Sequence, residues 1–159
     1  MLKKIVSGGQ TGVDRAALDA AIACGLEHGG WCPKGRRAED GRIPQYYRLD
    51  ETPRADYRQR TEWNVRDSDA TLIIVRDVLK GGTLYTLKCA VHHRRPVFIA
   101  GLSCPVSLPA LCSWIDGCGI AVLNIAGPRE GPDPAIHKES KMLVEMLICS
   151  GRKRTPGDS

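Results

Sequence analysis

Two glycine-rich segments hold the residues best placed to do chemistry. The first is Ser7-Gly8-Gly9-Gln10-Thr11-Gly12-Val13-Asp14-Arg15, directly after the apolar run Lys4-Ile5-Val6. Three glycines let a backbone turn sharply and come close to a ligand. A helix that starts there presents unpaired N–H groups and the positive end of its dipole, which suits a phosphate or a similar anion. Gly8, Gly9, Gln10, Thr11, Gly12 and Asp14 are therefore candidate binding residues, with Asp14 equally able to cap the helix. The string is neither a Walker A loop nor a regular Gly-x-Gly-x-x-Gly. The second segment, Lys80-Gly81-Gly82-Thr83 with Thr86 one helical turn later, follows the apolar run Ala70–Val75 and offers the same bare amides plus hydroxyl donors. Gly81, Gly82, Thr83 and Thr86 join the candidates, and the two loops are expected to share one anion. Arg129, in Gly127-Pro128-Arg129-Glu130-Gly131, and Lys34, in the cluster Lys34, Arg36 and Arg37, are the candidate cations.

No catalytic set stands out. Ser7 has no partnered His and Asp in motif context, the four histidines are scattered, and no carboxylate pair suggests acid–base work. Seven cysteines at irregular spacing, with no Cys-x-x-Cys, give no zinc pattern and read as reduced thiols. Neither a metal site nor an enzyme is the expectation.

These residues need a frame. The 159 residues are enough for one domain, and short β-type runs alternate with helical stretches. Strands are predicted at Lys4–Ser7, Gly30–Cys32, Ala70–Val75, Val97–Ala100 and Ile120–Ile125. Helices are predicted at Gly12–Cys24, Tyr57–Asp67, Leu84–His93, Leu108–Ile115 and Pro134–Cys149. Ile22 and Met146 are among the expected core positions, and Thr11 with Asp14 resembles a capping box. The alternation argues for an α/β fold, a doubly wound, Rossmann-like parallel sheet in a single domain. A strand order 2-1-3-4-5 would set strands one and three side by side, with ligands beyond their carboxyl ends. The ligand-binding domain spans 1–150, and 151–159 reads as a flexible basic tail. A polar stretch from Pro33 to Pro53 is long for a connection and is expected to matter to function.

Composition narrows the partners. The net charge of +5 is spread among acids rather than gathered in a stripe, so a small anion suits this chain better than nucleic acid. No apolar run approaches the ~20 residues that span a bilayer, and Met1-Leu2-Lys3-Lys4 does not read as a leader. A cytoplasmic protein with no membrane association is the expectation.

A longer set of strings carries a resemblance. It comprises Gly8–Asp19, Trp31-Cys32-Pro33-Lys34-Gly35-Arg36, Glu39-Asp40-Gly41, Ile43-Pro44, Arg60-Thr61, Asn64-Val65, Ser68–Ile73, Gly81-Gly82-Thr83 and Asn124–Arg129. Together these resemble the molybdenum cofactor carrier family, within the Rossmann-like LOG or lysine-decarboxylase-like superfamily, from about residue 5 to residue 148. The resemblance implies a homo-oligomer, a dimer or tetramer, that holds the molybdenum cofactor as cargo: a pterin with a terminal phosphate and a metal-binding dithiolene. The related LOG enzymes, which cleave ribose monophosphate from a nucleobase, carry Pro-Gly-Gly-x-Gly-Thr-x-x-Glu after the central strand. Here Lys80–Lys88 keeps the twin glycine but lacks the following Gly-Thr, and Lys88 stands near the Glu position. The expected function is thus a carrier for a phosphorylated ligand. The alternatives are a nucleoside 5′-monophosphate phosphoribohydrolase and a non-catalytic nucleotide sensor.

Overall fold

The computed structural model describes residues 1–153. Five parallel strands form the central sheet: β1 (Lys4–Val6), β2 (Glu27–Gly29), β3 (Ala70–Val75), β4 (Val97–Gly101) and β5 (Val122–Ala126). Five helices connect or follow them: α1 (Val13–Ala23), α2 (Tyr57–Arg66), α3 (Gly81–His92), α4 (Leu108–Gly117) and α5 (Ile136–Arg152). The sheet is doubly wound. On one face α1 packs on α5 and α5 on α4, and on the other α2 packs on α3. β3 is buried at every position, as expected for a central strand covered on both sides. The larger core lies under α1, α4 and α5 and includes Ile5, Leu72, Ile74, Leu123, Ile125 and Leu147. Ala17, Ala20 and Ala21 on α1 let that helix sit close to its neighbours. Val65, Cys89 and Ala90 form the smaller core on the opposite face.

The strand order is β2-β1-β5-β3-β4, not 2-1-3-4-5. β5 returns between β1 and β3, with Ile5 beside Leu123 on one side and Leu72 beside Ile125 on the other. The second strand also falls earlier than expected. Glu27–Gly29 pairs with β1, whereas Trp31–Cys32 pairs in parallel with Asp50–Glu51 as a separate two-stranded piece. Gly30, at φ +128°, breaks the chain between them, and a Cβ there would lie 2.4 Å from the Ser7 carbonyl oxygen. Ile22 and Met146 are exposed rather than core. No capping box forms: Gly12 is the N-cap of α1 with no side-chain cap. Gly25 does end α1, with Leu26 N–H bonding to Ala21 O at 2.8 Å in a Schellman pattern. Gly151 and Arg152 continue α5, and the rest of the expected tail, from Arg154 on, lies outside the described residues.

The polar stretch after Cys32 is ordered around one buried cation. Arg36 is 4% exposed. Its guanidinium donates to the carbonyls of Ile43 (3.0 Å), Leu49 (3.2 Å), Pro44 (2.7 Å) and Tyr47 (2.9 Å). It is therefore a tie inside the segment and not a ligand contact. Ile43, Tyr47 and Leu49 pack with Leu18 and Cys32 beneath it. Further ties hold the segment to α1: Arg15 grips Asp40 (2.8 Å between Nη2 and Oδ1), and Tyr47 Oη donates to Asp19 at 2.6 Å. Arg36→Met would leave four carbonyls without their donor. It is expected to cost about 3 kcal/mol in urea denaturation. Arg36→Lys should not restore this, because an ammonium cannot span acceptors that the planar guanidinium reaches together. A loss below about 0.5 kcal/mol would remove Arg36 from its organising role.

Candidate functional site

The carboxyl ends of β1, β5 and β3 and the first turns of α2 open onto one cavity of about 530 Å³, well within the range of small-molecule sites. The β1–α1 connection contributes Gln10, the first turn of α1 contributes Asp14, and the segment after β5 contributes Gly127, Pro128 and Arg129. The β3–α3 connection contributes Lys80, Gly81, Gly82, Thr83 and Thr86, and α2 contributes Tyr57, Arg58, Arg60 and Thr61. Among the sequence candidates, Gln10, Asp14, Gly81, Gly82, Thr83, Thr86 and Arg129 thus meet at one place. Gly8, Gly9, Thr11, Gly12 and Lys34 do not line it.

The first loop's glycines are explained by contacts within the protein. A Cβ on Gly8 would fall 2.0 Å from Arg60 Nη1, so bare backbone lets that guanidinium lie across it. Gly9, at φ +79°, faces Leu49 and Ile43, where a Cβ would come within 2.6 Å of Leu49 Cδ1. Gly12 would collide with Pro128 O at 2.4 Å. Three of the segment's amides are also engaged. Gln10 N–H goes to Asp14 Oδ2 (3.3 Å), Thr11 N–H to Gln10 Oε1 (3.0 Å) and Val13 N–H to Pro128 O (3.2 Å). Thr11 Oγ1 binds Glu39 Oε1 and accepts from Glu130 N–H. Lys34 is exposed and does not line the cavity. Asn64 also has a structural task, closing on the Trp31 backbone at 2.8 and 2.9 Å.

The second loop differs. Lys80, the N-cap of α3, supplies no side-chain cap. The Thr83 and Leu84 amides bond to Lys80 O at 3.2 and 3.3 Å. The amides of Gly81 and Gly82 have no hydrogen-bond partner among the described residues. A Cβ on either glycine would meet nothing within 4 Å, so the approach to these donors is open. Thr86 Oγ1 is already bonded to Gly82 O at 3.0 Å.

Cations surround this helix start. Arg58 lies over the Tyr85 ring at 5.3 Å, and Arg60 and Arg129 lie over Tyr57 at 5.8 and 5.9 Å. Arg60 Nη1 pairs with Asp14 Oδ2 at 3.0 Å, and Arg129 sits 3.8 Å from Glu39. Arg58 and Lys80 make no ion pair among the described residues. Burial pushes the Asp14 carboxyl above the usual carboxylate range, although the Arg60 charge and the Gln10 amide pull it back. Four cations against one carboxyl give the cavity a strong positive bias. Arg58, Arg60 and the two tyrosines were not legible as site residues, because α2 is polar along its length and offers no local motif. The strings Arg60-Thr61 and Gly127-Pro128-Arg129 were the available signal. A second cavity, apolar and about 340 Å³, lies at the opposite end of the sheet among Met1, Leu2, Leu26, Ile115 and Leu147, with no comparable set of donors. No group of three or more His, Cys, Asp or Glu among the described residues could hold a metal ion, and all seven cysteines are free thiols.

Comparison with known proteins bears on this site. The model of the circularly permutated YpsA SLOG family matches residues 5–148. Among solved structures, the chain is similar to that of a protein from Syntrophus aciditrophicus SB named "Putative molybdenum carrier protein". The two share 48% identity over 92% of this chain and 95% of the other, with a TM-score of 0.87. No curated protein matches.

The Asp14–Arg60 pair gives a signed prediction. Arg60→Met leaves a buried carboxylate alone and should cost about 3 kcal/mol near pH 7. A carboxyl whose folded-state pKa is raised holds its proton more tightly in the native state, so native stability falls as pH rises from about 3.9 through the raised value. The penalty of the variant should therefore shrink between pH 7 and pH 4.5 in urea denaturation. A penalty that grows on acidification would contradict this electrostatic account.

Proposed function

The chain belongs to the circularly permutated YpsA SLOG family, and we propose that it binds and carries a phosphorylated small molecule, the molybdenum cofactor, as cargo. The observation that bears this reading is the open start of α3. Two glycine amides and the helix dipole converge there with Arg58 and Lys80, and among the described residues neither the amides nor these cations have a partner that would exclude an anion. A phosphate dianion placed there gains neutral N–H donors for orientation and cations that offset the loss of its hydration. Tyr57 and Tyr85 supply aromatic faces for a flat heterocycle beside it. The name of the relative at 48% identity supports a pterin cargo.

In this reading phosphate binding moves from the first glycine loop, the sequence's leading candidate, to the second, because only the second sets its glycines against the cavity with open space beside them. Asp14 is the one carboxyl lining the cavity among the described residues, and it is tied to Arg60 and Gln10. That arrangement supports holding a ligand rather than turning it over. The reading also includes action in the cytoplasm and self-association. None of the described helices is long and apolar enough to cross a membrane. Val91 on α3 and Ile99 on the edge strand β4 leave apolar surface exposed of the kind that a second copy covers.

Gly82→Leu tests the reading without harming the fold. The space beyond Gly82 is open, and leucine is the better helix former by roughly 0.7 kcal/mol. The variant should melt at or above the wild-type temperature yet bind a stable phosphorylated pterin at least about tenfold more weakly in calorimetric titration. Equal affinity in the two proteins would place the phosphate elsewhere.

A further inference from the structure

Two buried donors in the cavity wall lack acceptors. Gln10 is 5% exposed. Its Oε1 accepts from the amides of Thr11 (3.0 Å) and Glu39 (2.9 Å). Those two donors fix which end of the carboxamide is oxygen, since the reverse assignment would set an NH2 group against two N–H groups. The nitrogen is therefore the end left over, and Gln10 Nε2 has no hydrogen-bond partner among the described residues. Arg60 Nε is in the same state, while its Nη1 is held by Asp14. A buried donor without an acceptor is costly, and a ligand that supplies the acceptor recovers that cost.

The position and charge of these donors say what the acceptor is. Gln10 follows β1 and the Gly81–Gly82 amides follow β3, with β5 between them. The carboxyl ends of β1 and β3 stand about two strand spacings, roughly 9–10 Å, apart, so the two groups of donors enter the cavity from different walls. At the α3 end Arg58 and Lys80 have no acid beside them, so the anion belongs there. At the Gln10 end the Arg60 charge is met by Asp14 at 3.0 Å, which favours an uncharged acceptor over a second anion.

Building on the phosphate reading, we infer that Gln10 is a specificity-determining residue, whose Nε2 donates to a ring carbonyl oxygen on the heterocyclic end of the ligand. Oxo-substituted heterocycles, a pterin or a 6-oxopurine, are selected over their amino counterparts, which would point a donor at a donor. Gln10 Nε2 is sealed from water in this conformation, so the ligand reaches it by displacing part of the wall, and the satisfied donor offsets that displacement.

Inosine and adenosine 5′-monophosphates are the probes, because they share phosphate and ribose and differ at position 6. Wild-type protein should bind the 6-oxo probe about tenfold more tightly than the 6-amino probe in calorimetric titration. Gln10→Glu keeps an oxygen for the Thr11 and Glu39 amides and removes the free donor, and it should abolish or invert that preference. Gly82→Leu should weaken both probes together and keep their ratio. A wild-type ratio near one overturns the inference, and needs no variant to measure. So does a preference that survives in Gln10→Glu, or a loss there that is equal for both probes, since a merely structural glutamine would act that way. If Gly82→Leu leaves both affinities unchanged, the phosphate reading fails and this inference falls with it.

Discussion

The site depends on a backbone contact that admits no side chain. Where β1 turns into α1, Gly12 lies against the chain leaving β5, and a Cβ there would sit 2.4 Å from Pro128 O. Just before that point, a Cβ on Gly127 would fall 2.2 Å from Ile74 O in β3. Glycine at both positions lets β5 enter between β1 and β3 and leave without displacing either neighbour. Three strand ends then open side by side, Val13 N–H closes on Pro128 O, and Arg129 emerges over Tyr57. A larger residue at either point would push apart the walls that hold Gln10, Asp14 and Arg129 in register.

A second dependence runs through the segment after β2. Arg36 gathers four carbonyls around one guanidinium, and Arg15 and Asp19 tie that folded segment to α1. Glu39 is thereby held where its amide meets Gln10 Oε1 and its carboxylate meets Thr11 and the Gly131 amide. Arg36, Glu39 and Asp40 of this stretch are engaged in holding the cavity wall together. Among the described residues, the cavity cations left without an acid are Arg58 and Lys80, and they line the cavity with the open start of α3.

Much of this was legible in the chain itself. The apolar runs at Ala70–Val75 and Val97–Ala100 mark strands by local pattern, and their alternation with helices fixes the fold class. The position of β5 was not legible, because strand order is set by long-range packing, here by Gly12 and Gly127, residues that a local reading treats as turn formers. Glu27–Gly29 is polar enough to hide an edge strand, and the more apolar Trp31–Cys32 drew the assignment away from it. The glycine-rich signature after β1 was read as a phosphate cradle. Glycine permits close approach of anything, and at Gly8, Gly9 and Gly12 the approaching groups are Arg60, Leu49 and Pro128. The space beside the glycines and the lining of the cavity separate the two loops, and both require coordinates. Arg58 and Arg60 escaped for a related reason: nothing in the sequence of α2 tells which face meets the cavity.

The central claim is that the ligand's phosphate rests on the start of α3. The most direct measurement is an amide proton–nitrogen NMR titration with a phosphorylated pterin, in which glycine resonances fall in a region of their own. The account predicts that the Gly81 and Gly82 amides move downfield the most, as new hydrogen bonds to phosphate form, while Gly9 and Gly12 move little. The largest shifts at Gly8, Gly9 and Gly12, or around the apolar cavity near Leu26 and Leu147, would contradict it.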